Sequence, residues 1–116
     1  MTNEQIVLKE LSSFFSALAH PARAQIIFEL DDKELSVGEL QKVLKLKQPA
    51  VSQHLALLKS HHLLKERKDG RHSYYSLEKS HLATWLYGAL PFMMPDATNT
   101  TALLSALESM NSLCST

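Results

Sequence analysis

Four side chains near the middle of the chain, Gln48, Ser52, Gln53 and His54, combine a type and a spacing that suggest chemistry. Each both donates and accepts hydrogen bonds, as reading the edges of base pairs in a major groove requires. They lie in the stretch from Gln48 to Ser60, where Leu55 and Leu58 follow Val51 at spacings of four and seven. That spacing predicts a short helix with one apolar stripe against a core, its polar groups gathered at the N-terminal end. Pro49 marks the boundary. It suits the first helical position, where its missing N–H costs nothing, and it pushes Gln48 into a flanking role.

The elements that position this stretch can be read outward from it. Upstream, Leu35-Ser36-Val37-Gly38-Glu39-Leu40 opens a helix, and Ser36 followed three residues later by Glu39 is a capping box. Val37, Leu40, Val43 and Leu44 form its buried face, and it must stop near Lys45 because Leu46-Lys47-Gln48-Pro49 restarts the chain. Two short amphipathic helices across so tight a turn make a helix-turn-helix, whose second member begins with the polar cluster. Downstream, residues 63–67 and 72–77 read as strands, with Asp69-Gly70 between them as a hairpin signal. A basic hairpin after a helix-turn-helix is a wing. Lys68, Arg71 and His72 at its tip are then placed for a flanking phosphate backbone or minor groove.

Two further helices precede this unit. Val7, Leu11, Phe14, Phe15 and Leu18 give a helical stripe between about Asn3 and Ala19, whose adjacent phenylalanines predict a strongly buried face. Pro21 fits the first turn of the second helix, which carries Ile26, Ile27 and Leu30 to about Asp31, and His20 before it is expected to cap or pack. After the wing, a long helical pattern starts near Glu78-Lys79-Ser80 and runs through Leu82, Trp85, Leu86, Ala89 and Leu90 to Pro91. A short amphipathic helix follows, from Asn99 or Thr100 through Leu103, Leu104, Leu107 and Met110. Leu11, Phe14, Phe15, Leu82, Trp85 and Leu86 offer more apolar helix face than one small core needs, which points to two-fold pairing of subunits.

Length and charge agree with this layout. A chain of 116 residues is the size of one domain. The net charge of zero argues against a nucleic-acid partner until its distribution is considered. Residues 42–72 hold eight Lys and Arg against two acids, a net +6, which leaves −6 on the remainder. One basic third on a neutral chain is what a DNA-binding module joined to an acidic remainder looks like. The chain lacks an apolar run of membrane-spanning length and a basic, apolar leader, so a cytoplasmic location is expected. Cys114 is the single cysteine and cannot form an intrachain disulfide, although two tails in a dimer could be joined by oxidation.

Several motifs occur in an order that resembles the ArsR family of bacterial winged-helix repressors. They are residues 18–23 (Leu-Ala-His-Pro-Ala-Arg), 35–40 (Leu-Ser-Val-Gly-Glu-Leu), 51–55 (Val-Ser-Gln-His-Leu) and 74–77 (Tyr-Tyr-Ser-Leu), and the likeness covers residues 10 to 90 or so. It implies a homodimer on an imperfect inverted repeat of double-stranded DNA, repressing nearby genes until an effector lowers affinity. Mapped onto this chain, the base-reading positions fall on Gln48, Ser52 and Gln53, with His54 at the margin, and the wing contacts on Lys68, Arg71 and His72. Family switches are absent at matching positions. The Cys-Val-Cys of metal-sensing members corresponds to Ser36-Val37-Gly38, the Asp and His ligand set after the wing to Ser80-His81, and a thiol sensor needs two cysteines.

The expectation is a mainly α fold with a small β-hairpin, a dimeric winged helix-turn-helix over residues 1–92, and a C-terminal extension over 93–116. Lys47, Lys59 and the wing supply phosphate contacts. No cofactor, metal or membrane partner is expected, and the effector is unassigned. A repressor without a ligand switch, or a winged helix that binds protein, are the alternatives; the polar, lysine-flanked helix disfavours the latter. No Gly-rich phosphate loop appears, and Cys114 has no evident base beside it, so no enzyme is expected.

Overall fold

The computed structural model describes residues 1–93, together with Ser105 and Ser109, both helical and exposed. The rest of the helix expected over residues 99–110, and Cys114, lie outside the described residues. The element order is α1 (Asn3–Leu18), α2 (Pro21–Glu29), β1 (Leu35–Ser36), α3 (Val37–Leu44), α4 (Gln48–Ser60), β2 (Leu64–Asp69), β3 (His72–Leu77) and α5 (Leu82–Gly88). A single 3-10 turn, Leu90–Phe92, follows. No helix among the described residues is long and apolar enough to cross a membrane.

Local chemistry sets the helix boundaries. Ser36 and Glu39 form the expected reciprocal cap of α3: the Glu39 amide donates to Ser36 Oγ at 3.1 Å and the Ser36 amide to Glu39 Oε1 at 3.0 Å. His20 caps α2, its Nδ1 accepting from the Ala22 amide at 3.0 Å. Helix α3 ends at Lys45, which adopts a left-handed backbone with φ of 56°. The turn to α4 is therefore made without glycine, at a strain of about 1 kcal/mol. Gln48 lies inside α4 rather than flanking it, with Lys47 at the N-cap.

The hydrophobic core joins α2, α3, α4, the two long strands and α5. Ile26, Ile27, Leu40, Val51 and Leu58 are wholly excluded from solvent, with Leu30 and Leu55 nearly so. The stripe Val51, Leu55, Leu58 thus fixes the rotation of α4, and its polar side follows from that. Burying three such side chains contributes on the order of 5 kcal/mol before conformational entropy is counted.

Besides the place of Gln48, three expectations need correction. The hairpin is part of a three-stranded antiparallel sheet, in the order β1-β3-β2, because Leu35 and Ser36 pair with Tyr75 and Tyr74 before α3 begins. The helix after the wing starts at Leu82, not near Glu78, since the Glu78 amide instead donates to the Leu63 carbonyl at 2.9 Å and ties the chain to the base of the wing. The phenylalanine face of α1 is not strongly buried within one chain: Phe14 is half-buried, Phe15 is 49% exposed, and only Ala17 of this helix is fully buried.

Candidate nucleic-acid interface

Helix α4 presents the polar cluster at its start. Gln48 and Gln53 are exposed and Ser52 is half-buried, while Val51 beside them is completely covered. Gln48 Nε2 donates to Ser52 Oγ at 3.1 Å, one turn along, which orients the amide and leaves its oxygen to accept from outside the chain. Lys47 precedes them at an N-cap without a side-chain capping bond. With Lys45 in the same turn, two exposed ammonium groups flank the polar end of the helix. This is the side-chain set expected where base edges lie between two rows of phosphate.

His54 is placed differently from its neighbours. It is half-buried and turned toward α2, its ring centroid 4.5 Å from that of His20 and its Nδ1 3.5 Å from Arg23 Nη1. Burial, then the nearby His20 and Arg23, hold its pKa below the ordinary histidine value.

The wing is braced on both sides. Lys59 Nζ contacts Glu66 Oε1 at 2.7 Å and so joins the last turn of α4 to β2. Glu66 is held down at about 2 by hydrogen bonds from Lys59 and Ser73, with a smaller contribution from Tyr75. Arg67 forms a fork on Glu34, with Nη2 to Oε1 at 2.8 Å and Nε to Oε2 at 3.1 Å, and its guanidinium lies 4.7 Å from the centre of the Tyr74 ring. That fork keeps the Glu34 carboxyl below the usual range. Asp69 pairs with His72 to close the hairpin, so the turn is the two residues Gly70 and Arg71, and Gly70 adopts the φ of 63° that such a turn demands. Lys68, Arg71 and His72 are all exposed at this end.

Some expected groups are thus brought together and others are not. Gln48 and Ser52 touch; Lys59 is engaged by a carboxylate; Lys68, Arg71 and His72 cluster at the tip. Sequence reasoning missed Arg23, which reaches from α2 to the carbonyls of Ala17 and Ser16 as well as to His54. Its position two residues after Pro21 gave no hint, because the partners are backbone oxygens and a ring 31 residues on. It also left Lys45 out of the site, although three bases within residues 42–47 were a usable signal.

Away from this face, α1 and α5 share an aromatic cluster. Phe14 lies 5.7 Å from Trp85 and 5.4 Å from Phe15, and Phe15 lies 6.4 Å from Trp85, between ring centres. Leu11, Phe15 and Trp85 are each about half exposed, while Phe14, Leu82 and Leu86 are half-buried beneath them. Among the described residues no group of three or more His, Cys, Asp or Glu side chains could hold a metal ion.

The stretch from the cap of α2 into the wing has known counterparts. Residues 20–66 match the model of the bacterial regulatory protein, arsR family. The chain is 40% identical over 74 residues to a transcriptional repressor SmtB homolog of Synechocystis, covering 64% of this chain and 56% of that protein. It is 36% identical over 88 residues to the nodulation protein NolR of Rhizobium meliloti, covering 76% of this chain and 71% of that protein. The structure of reduced HlyU from Vibrio cholerae matches with a TM-score of 0.69 at 30% identity, covering 82% of this chain and all of the other. The chain spans little more than half the length of the first curated relatives it matches.

Proposed function

On the premise that the chain belongs to the ArsR family of bacterial regulatory proteins, we propose that it is a homodimeric, sequence-specific DNA-binding repressor acting in the cytoplasm. The observation that carries this reading is the start of α4, where Gln48, Ser52 and Gln53 stand outward over the buried Val51, Leu55 and Leu58, with Lys45 and Lys47 beside them. In a two-fold dimer the two α4 helices enter successive major grooves about 34 to 36 Å apart on an inverted repeat. The glutamines and Ser52 discriminate bases, while Lys45, Lys47, Lys68, Arg71 and His72 supply sequence-blind attraction that weakens with salt.

The exposed apolar faces of α1 and α5 support pairing of two copies, and the reading assigns dimerisation and DNA binding together to residues 1–92. Residues 93–116 form an extension to that unit. Repression is by occupancy of the operator, and release comes from an effector other than a metal held at Ser36-Val37-Gly38, which lacks thiolates. The test is selection of bound fragments from genomic DNA, followed by titration on the enriched duplex and a scrambled one. Enrichment of one inverted repeat is expected; fragments sharing no sequence would overturn the reading.

A further inference from the structure

The motif that the DNA reading leaves unused is the pair His20 and His54, with Arg23 between α1 and α4. Arg23 Nε donates to the Ala17 carbonyl at 2.7 Å, and its Nη2 to the Ser16 carbonyl at 3.4 Å, so the guanidinium is anchored on the last turn of α1. Its remaining arm meets His54 Nδ1 at 3.5 Å. An arginine can only donate, so His54 Nδ1 must accept and carry no proton. The neighbouring His20 ring is fixed in place because its Nδ1 accepts the Ala22 amide that starts α2. With the two rings 4.5 Å apart and Arg23 against His54 Nδ1, the junction suits a neutral His54.

We propose that Arg23 and His54 are positioning residues that hold the recognition helix to the dimer helix only while His54 is neutral, so that mild acid loosens operator binding. The inference rests on the DNA reading above and assigns His54 an inward role within it.

The surroundings fix the sign. The groups acting on His54 are His20 and Arg23, both bases, and both oppose a positive charge on its ring. Helix α1 has no ionisable side chain between Leu11 and Leu18. On β2, Glu66 is engaged by Lys59 at the opposite end of α4. Proton uptake would set a donor against the guanidinium and a cation against His20. Burial first, and these two bases next, keep the His54 pKa below its ordinary 6.5. The neutral form is therefore the folded one, and the junction is whole above pH 6.5 and weakens as the pH falls below it.

The experiment measures operator affinity and thermal stability at about pH 7.5 and about pH 5.5 for the wild type, His54→Gln and His54→Ala. Glutamine keeps an oxygen acceptor for Arg23 and does not titrate; alanine keeps neither. Every other titratable group is the same in all three proteins, so the comparison among them isolates residue 54. The expected result is a loss of affinity on acidification about tenfold larger for the wild type than for His54→Gln. His54→Gln should also bind more tightly than His54→Ala at the higher pH, and its melting temperature should fall less in acid than that of the wild type. A wild type and His54→Gln that respond to pH alike in both measurements would overturn the proposal. Absence of DNA binding at every pH would instead defeat the DNA reading, and the melting curves would then judge the Arg23–His54 link alone.

Discussion

Lys59 and Glu66 form a 2.7 Å ion pair that fastens the end of the recognition helix to the first strand of the wing. Only 13% of the Glu66 side chain is exposed, so the pair sits in a lower dielectric than a free surface pair. It also means that Lys59 reaches a phosphate only by sharing its charge with a carboxylate.

Glu66→Gln should lower the melting temperature by about 4 °C at neutral pH, as loss of a charge-assisted bond does in a domain of this size. The pH dependence follows from the depressed pKa. Its stabilisation is complete above the ordinary 4.5 and disappears as pH falls from there toward about 2. Thermal melts over that range check it: this part of the acid limb should be present in the wild type and missing in Glu66→Gln. Equal acid limbs would contradict it.

Gln53→Ala and Arg71→Ala should fail in different ways. Removing Gln53 should cost about 1 to 3 kcal/mol on the operator and little on scrambled DNA. Removing Arg71 should weaken both duplexes alike and reduce the salt slope by about 1. Lys59→Ala should lower affinity less than Arg71→Ala, because its partner Glu66 already offsets its charge. Fluorescence titrations on both duplexes at several salt concentrations separate these outcomes.

Lys45→Gly should stabilise the fold and weaken DNA binding at once. Glycine removes the left-handed penalty at φ of 56°, worth about 1 kcal/mol, while the substitution deletes an exposed cation from the turn before α4. Denaturant melts and salt-dependent binding check the two halves independently.

Phe15→Glu should give a folded monomer. The side chain is already 49% exposed in one chain, so its own fold loses little, whereas a carboxylate in a paired α1 and α5 face would be desolvated. Sedimentation should show a dimer for the wild type and a monomer for the variant. Operator affinity should fall at least about 100-fold, since one half-site is then held without the other. A variant that remains dimeric would place the subunit interface elsewhere.

What could be read from the chain was what local rules determine. The Ser36 and Glu39 cap, the end of α3 near Lys45 and the Val51, Leu55, Leu58 stripe depend on residues within a turn or two of each other. The Asp69-Gly70 signal likewise marked the hairpin, although pairing continued to Asp69 and His72 and shortened the turn. Strand β1 was illegible because two residues carry no periodicity and their partners, Tyr75 and Tyr74, lie about forty positions on. The late start of α5 depends on one long-range bond from Glu78 to Leu63. At the site, the outward residues were legible from their polarity. The inward turn of His54 was not, since it depends on how α2 packs against α4.

The most direct measurement of the central claim is guanine N7 methylation interference on the selected operator, which probes major-groove contact base by base. Two clusters of interference, one helical turn apart and each lost when Gln48 and Gln53 are both replaced by alanine, are expected. Interference spread evenly along the duplex, or a pattern that the double substitution leaves unchanged, would contradict a recognition helix that begins at Gln48.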